Sequence, residues 1–308
     1  MTKDIIRIVG FEKDITLWAA ETKSFFAEQN LAVSFDQTRN STEEISGILA
    51  GQWDIAFDNG DNVVAWDEGQ GADGKPHDLF IFMGGSRQLA QALFVHPSIK
   101  EIRDLKDRIL GADAAATGFA VVLRYILQCH NLSFGRDYSF KSVGSSRMRL
   151  SELVAGKIAG AMLNPRYVEE AGVENLRVLA LGKDYADPYP ARIGLATRRW
   201  AETHAALLTR FIRAMIGATD WIFDPKNREE IIELTKSKIG RDSARAEADY
   251  RRLLDPSEGL TARGAFDPDT LRTVLEMRQK LDIINVPLPP LTKYYDESFY
   301  REAVSLIR

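Results

Sequence analysis

Two stretches of the chain share one pattern: residues 48–57 read ILAGQWDIAF and residues 153–162 read LVAGKIAGAM, an interval of 105 residues. In each copy we predict that an apolar helix ends at the Ala-Gly pair, because glycine readily takes the left-handed conformation that closes a helix. A short strand of small and apolar residues follows each pair. The repeat therefore predicts two lobes of like construction.

The likeness extends upstream of both copies. Residues 5–9 and 109–111 have the composition of buried strands, and each is followed by a polar loop and a helix. Further strands are predicted at residues 31–35 and 138–143. Strands that alternate with helices are typical of parallel sheets with helical crossovers. The fold class indicated is α/β, with a doubly wound pattern used twice.

Two segments are predicted to connect the lobes. The strand at residues 92–95 leads the chain out of the first lobe, and residues 193–197 (IGLAT) bring it back before an almost wholly helical C-terminal tail. We therefore predict a discontinuous lobe 1 of residues 1–95 and 184–308, on which the tail packs, and a lobe 2 of residues 96–183. Two lobes joined by two crossover strands can open and close on hinges.

Composition narrows the class of protein. The 308 residues are 45% hydrophobic and 27% charged, as in ordinary globular proteins, and 40 basic against 44 acidic residues give a net charge of −4. No cluster of basic residues resembles a nucleic-acid footprint, so nucleic acid is not an expected partner. No stretch approaches the ~20 apolar residues of a membrane span. The single cysteine, Cys129, has the helical spacing of a buried thiol.

The N-terminal sequence MTKDIIRIVGF lacks the charged, apolar and small-residue zones of a signal peptide. We therefore expect a periplasmic protein if a signal peptide has been removed, and a cytoplasmic protein otherwise.

The turns that follow the strands are the candidate ligand site. Ligands of open parallel sheets bind beyond the carboxyl ends of the strands, where helix N-termini offer free backbone N–H groups. By position, turns at residues 11–14, 58–62, 114–118 and 144–146 qualify. The repeat makes Asn164 the counterpart of Asn59, and it predicts that the turns of the two lobes face each other.

Small and aromatic residues in these turns are candidates for ligand contact. The run AAATG at residues 114–118 ends in Thr117 and Gly118, and it fits both an anion-binding loop and an ordinary helix cap. Aromatic side chains commonly wall organic-ligand pockets. Further candidates by this reasoning are Phe11, Phe119, Ser145, Tyr189 and Trp18, although Trp18 also fits the apolar stripe of its own helix.

Charged candidates have equally ordinary alternatives. Asp58 and Asp61 could pair with a ligand amine or ring nitrogen, or cap the helix that follows them. Arg87 could bind a carboxylate or sulfonate, or be an exposed arginine near a hinge. The four histidines lack the spacing of metal ligands, and no nucleotide-binding or nucleophile motif is present. We expect no metal, no cofactor and no catalytic residue.

Four segments resemble the type II periplasmic substrate-binding proteins of ABC transporters, in the group that binds sulfonates, taurine, nitrate and thiamine precursors. They are AAETKSFFAEQNLAVSF (residues 19–35), SGILAGQWDIAF (46–57), SELVAGKIAGAML (151–163) and FIRAMIGATDWI (211–222). The resemblance implies the type II binding-protein fold, a small molecule trapped between the lobes, and a membrane permease as partner. It places Phe11, Asn59, Thr117, Ser145 and Asn164 in the pocket.

The favoured function is that of a monomeric, non-catalytic binding protein for a small organic molecule, either aromatic or heterocyclic, or a sulfonate or carboxylate. The alternative is a cytosolic enzyme on the same scaffold, since similar folds occur in aromatic-acid decarboxylases, a desulfinase and cofactor-biosynthesis enzymes. A carboxyl group of perturbed pKa in the cleft would favour that alternative.

Overall fold

The computed structural model describes residues 3–116 and 118–307. Its strands form two five-stranded sheets, with strand orders β2-β1-β3-β10-β4 and β7-β6-β8-β5-β9. The first sheet consists of β1 (Asp4–Gly10), β2 (Leu31–Gln37), β3 (Ile55–Asp58), β4 (Leu79–Ser86) and β10 (Arg192–Thr197). The second consists of β5 (Ala92–Val95), β6 (Arg108–Ala112), β7 (Tyr138–Ser142), β8 (Gly160–Leu163) and β9 (Arg177–Leu181).

The two sheets have equivalent topologies. Strand β1 pairs in parallel with β2 and β3, as β6 does with β7 and β8. In each sheet an antiparallel strand from elsewhere in the chain then joins, β10 beside β3 and β5 beside β8. These are the two crossover strands, so the predicted α/β class and two-lobed architecture are confirmed.

The predicted boundary after residue 95 needs correction. Strand β5 pairs with β8 and β9, both in the second sheet. The chain therefore leaves the first sheet between Ser86 and Ala92, and residues 92–95 belong by hydrogen bonding to the second. The sequence shows an apolar strand there, but it carries no information about which sheet supplies its partners.

Helices cover both faces of the sheets. Before the C-terminal tail they are α1 (Ile15–Thr22), α2 (Phe25–Glu28), α3 (Ser41–Leu49), α4 (Gly60–Asp67), α5 (Phe119–Cys129), α6 (Ser146–Val154) and α7 (Pro165–Glu170). The tail contains α8 (Arg198–Thr203), α9 (Ala205–Phe223), α10 (Arg228–Ile239), α11 (Ser243–Leu253), α12 (Asp269–Lys280) and α13 (Ser298–Ser305). Helices α3 and α6 end at Ala50 and Ala155, and the glycines that follow both have positive φ, as the repeat predicts.

Most of the tail packs on the first sheet. Phe211 of α9 stacks on Phe26 at a centroid distance of 5.7 Å, within a core that includes Phe80 and Phe82 of β4. Helix α12 differs, because it contacts both α4 and α5, and the Lys280 carbonyl accepts a 2.6 Å hydrogen bond from Gln128 Nε2. The tail therefore bridges both halves, where we expected it to contact lobe 1 alone.

Two local predictions are wrong. The single helix predicted after the strand at residues 5–9 is instead two helices, α1 and α2, separated where Ser24 has a φ of 67°. Cys129, expected to be buried, is exposed at the last turn of α5. The apolar stripe of α5 ends one turn earlier, with Ile126 and Leu127.

Candidate functional site

A cavity of about 830 Å³ lies between the two sheets. Its walls include the residues that follow β1, β3, β6 and β8, so it lies at the carboxyl ends of the parallel strands of both halves. Of the predicted site residues, seven line it: Phe11, Asp58, Asn59, Gly118, Phe119, Ser145 and Asn164. The turns of the two halves therefore face each other, as the repeat predicts.

Three predicted residues lie elsewhere. Tyr189 is fully buried behind the wall, where its hydroxyl donates to Asn59 Oδ1 at 3.3 Å. Trp18 packs against the core of the first half, with Lys13 Nζ 4.0 Å from its ring centroid. Arg87 forms a 3.3 Å ion pair with Asp267 and is half exposed. Thr117 lies outside the described residues.

The turn between β3 and α4 forms the first wall of the cavity. The buried Asp58 carboxylate accepts hydrogen bonds from the Asn59 backbone N–H at 2.8 Å, from Asn59 Nδ2 at 3.1 Å, and from Asn62 Nδ2. Among the described residues, no cationic side chain lies within 4 Å of this carboxylate. The first wall therefore carries an acidic group whose hydrogen-bond donors are all neutral N–H groups.

A second carboxyl group, that of Glu44 on α3, lies beside Asp58. Glu44 is fully buried, and no N–H donor in the described part of the chain reaches either of its oxygens. Burial and the neighbouring charge of Asp58 raise the pKa of Glu44 well above its ordinary value. Both effects favour the protonated form of Glu44, and burial also raises the pKa of Asp58.

Asp61, three residues after Asp58, does not face the ligand cavity. It is fully buried in a bidentate ion pair with Arg278 of α12, at 2.7 Å from Nε and 2.8 Å from Nη2. The same guanidinium donates to the Ala116 carbonyl at 3.1 Å. The Asp61–Arg278 ion pair thus links the C-terminal tail to the turn that carries Asp58. The hypothesis that Asp61 pairs with the ligand is wrong.

The N-terminus of α6 and Arg149 form the second wall. Ser145 caps α6, and residues 145–149 line the cavity. The Arg149 guanidinium is buried and donates to the Met162 carbonyl at 3.3 Å, to the Gly144 carbonyl and to Ser146 Oγ at 3.0 Å. Burial lowers the pKa of Arg149 to about 10, which still leaves it charged at pH 7. No described carboxylate lies within 4 Å of it.

Hydrogen bonds join the two halves around the cavity. The Ser41 backbone N–H donates to Asp113 Oδ2 at 2.9 Å, and the Tyr167 hydroxyl donates to Glu12 Oε2 at 2.8 Å. The Ser145 N–H donates to the Arg39 carbonyl at 3.1 Å. In each contact, one residue belongs to the lobe of the first sheet and the other to the lobe of the second. The structure therefore shows the two lobes closed on each other.

Sequence reasoning missed Glu44, Asn62 and Arg149. A signal for two of them was present, because Glu44 and Arg149 are separated by the repeat interval of 105 residues and occupy the same position in α3 and α6. Within residues 3–116 and 118–307, no group of three or more His, Cys, Asp or Glu has the arrangement of a metal site. No described helix has the length and hydropathy to cross a bilayer.

Solved structures with this fold include binding proteins of known ligands. The nitrate-binding protein NrtA from Synechocystis PCC 6803 superposes with a TM-score of 0.78 at 12% identity, covering 99% of this chain and 89% of that one. The alkanesulfonate-binding protein SsuA from Xanthomonas axonopodis pv. citri, solved with bound MOPS, gives 0.73 at 14% identity over 96% and 100% of the two chains. This likeness confirms the two-lobed binding-protein fold.

Sequence comparison gives two further findings. A 144-residue segment, 46% of this chain, is 28% identical to the bicarbonate transport ATP-binding protein CmpC of Synechocystis sp., and it spans only 21% of that protein's length. A family model matches residues 13–236, which include both copies of the repeat, the turn at residues 58–62 and the cavity-lining residues 145–149. On that match the chain belongs to the NMT1-like family.

Proposed function

We propose that this protein is the solute-binding component of an ABC-type importer and closes around a small organic acid. The observation that carries the proposal is the cavity itself, which polar groups of both halves line and whose rim is held by hydrogen bonds between the halves. Nitrate- and sulfonate-binding proteins of the same fold support it. A membrane permease is the partner that such a function requires. The monomeric state and the periplasmic location stay predictions.

The second wall is suited to the acid group of the ligand. Helix N-termini present N–H groups without intrahelical partners, and the helix dipole adds partial positive charge there. Arg149 adds a buried full charge that no described carboxylate neutralises. The rings of Phe11 and Phe119 supply apolar surface for the body of the ligand.

A stability screen tests this function. The protein is unfolded and refolded to remove any co-purified ligand, and its melting temperature is then measured with sulfonates, aromatic carboxylates, aliphatic carboxylates and amines. A ligand at 100 times its dissociation constant stabilises the folded state by about 2.7 kcal/mol. We expect a clear increase with one class of acid. No increase with any compound would contradict the proposal.

One observation favours the enzyme alternative. Glu44 lies beside Asp58, burial raises the pKa of both carboxyl groups, and such a pair can act as acid and base in catalysis. We propose binding without turnover, because Glu44 is enclosed behind the wall and does not itself line the cavity. Mass spectrometry of the ligand after prolonged incubation decides between them, since a binding protein returns its ligand unchanged.

A further inference from the structure

We propose that the ligand is amphoteric: besides the acid group held at the second wall, it carries a protonated nitrogen that lies against Asp58 and Asn62 of the first wall. The inference rests on the function proposed above and specifies the chemical class of its ligand.

Asn62 lines the cavity and is almost fully buried. Its Nδ2 donates to a carboxyl oxygen of Asp58. Asn62 Oδ1 is then left as a buried acceptor, and none of the described residues supplies a donor to it. An unsatisfied buried acceptor costs about 1–3 kcal/mol, so a donor at this position is favourable.

The charges of the first wall also favour a cationic group in the ligand. The buried Asp58 carboxyl lies at the edge of the cavity, beside Glu44 and with no described cation within 4 Å, and burial raises its pKa. Asp113, which faces the same space from the other half, adds a further carboxylate. Of two neighbouring aspartates on one turn, Asp61 has an arginine and Asp58 does not. A buried charge without a counterion is strongly unfavourable, and a cationic ligand group would neutralise it.

There is also room for a ligand group beside Asn62. Gly118 of the opposite half lies over Asn59 and Asn62, and a Cβ there would be 3.1 Å from Asn59 Nδ2 and 3.5 Å from Asn62 Oδ1. Its φ of 54° also disfavours other residues. The missing side chain leaves room beside the unpartnered oxygen. The acid and the nitrogen of the ligand are therefore placed on opposite walls, with apolar surface between them.

Matched probes test the inference by calorimetry and melting temperature. An aromatic set consists of 4-(aminomethyl)benzoate, 4-methylbenzoate and 4-methylbenzylamine, and an aliphatic set consists of 6-aminohexanoate, hexanoate and hexylamine. We expect one amphoteric member to bind at least tenfold more tightly than the acid of its own set. In Asp58→Asn that preference should fall to less than threefold. Asp67→Asn, which changes a buried carboxyl at the end of α4, outside the cavity, should retain it.

The outcomes separate the inference from the function. If the acids without nitrogen bind as tightly as the amphoteric probes, the inference is overturned and the binding function stands. An amphoteric preference that survives in Asp58→Asn also overturns it, because the nitrogen then binds elsewhere. If no probe binds, both proposals fail for these acids. Should Asp58→Asn not fold, the comparison within each probe set on the unaltered protein still decides.

Discussion

Glu44 and Arg149 occupy one position in two copies of a repeat, yet they carry opposite chemistry. Each is the fourth residue of a helix that begins beside the cavity, and each is almost completely buried. Arg149 stays charged, because two backbone carbonyls and a hydroxyl accept from its guanidinium. Glu44 has no N–H donor among the described residues, and burial raises its pKa, which favours its protonated form. A fold built twice has thus acquired an acceptor wall and a donor wall.

The comparison teaches that burial alone does not decide whether an ionisable group is charged. What decides the charge is the number of hydrogen-bond partners that suit the charged form, which are acceptors for a guanidinium and donors for a carboxylate. The two neighbouring aspartates also differ in their partners, since Asp61 has an arginine and Asp58 has only neutral N–H donors. If the rule holds, removing a partner should be costly where the group is charged and inexpensive where it is neutral.

The largest effect is expected at the Asp61–Arg278 pair. In Arg278→Met the Asp61 carboxylate is left buried without a counterion, which typically costs about 3–5 kcal/mol. The free energy of unfolding, measured by urea denaturation, should fall by that amount. Stability should return largely in the double variant Arg278→Met with Asp61→Leu, because an apolar pair needs no counterion. A loss below about 1 kcal/mol in the single variant would show that Asp61 is already neutralised in another way.

The next effect concerns ligand affinity at the second wall. In Arg149→Met the acid group of the ligand loses its buried cation, and loss of one partner from such a pair commonly costs about 2–5 kcal/mol. The dissociation constant for the best acid from the screen, measured by calorimetry, should rise about 100-fold. The comparison variant is Arg147→Met, because Arg147 also lines the cavity but is more than half exposed and pairs with Glu170 at 2.9 Å. Equal losses in both variants would mean that general positive charge, not Arg149, binds the acid.

The sequence predicted the architecture well because repeats and periodicity are local signals. The Ala-Gly helix ends, the strands after them and the turns at Asn59 and Asn164 were all predictable, and both asparagines begin helices beside the cavity. Partners distant in the sequence could not be predicted. Arg278 lies 217 residues from Asp61, and nothing in either segment indicates that they pair.

Side-chain direction was the other limit. Tyr189 is next to the cavity in the fold but is turned behind Asn59, and Trp18 packs on its own core. A helical stripe predicts which side is buried, but not whether a side chain borders a cavity or the core. Strand β5 shows the same limit for pairing, because an apolar strand fits either sheet. The ionisable position that α3 and α6 share, Glu44 and Arg149, could be found only by aligning the two repeats residue by residue.

The smallest effect, and the sharpest test of the comparison, is expected for Glu44→Gln at pH 5. A neutral amide replaces a neutral carboxyl, so the free energy of unfolding at pH 5 should change by less than about 1 kcal/mol. The folded protein binds the Glu44 proton more tightly than the unfolded chain does. This contribution to stability is therefore complete below the ordinary pKa of 4.5 and is lost as the pH rises toward the raised, folded-state value.

The unaltered protein should consequently lose stability relative to Glu44→Gln between pH 5 and pH 8, when both are unfolded in urea at each pH. Asp67→Asn is the matched control, since burial raises the pKa of Asp67 to about 8 at a site away from the cavity, and the same direction of change is expected there. Only the Glu44 difference should respond to a ligand whose nitrogen neutralises Asp58, because a cation beside Asp58 makes ionisation of Glu44 easier. A difference that stays constant with pH would mean that Glu44 is ionised in the folded protein, and the two copies of the repeat would then differ in charge sign alone.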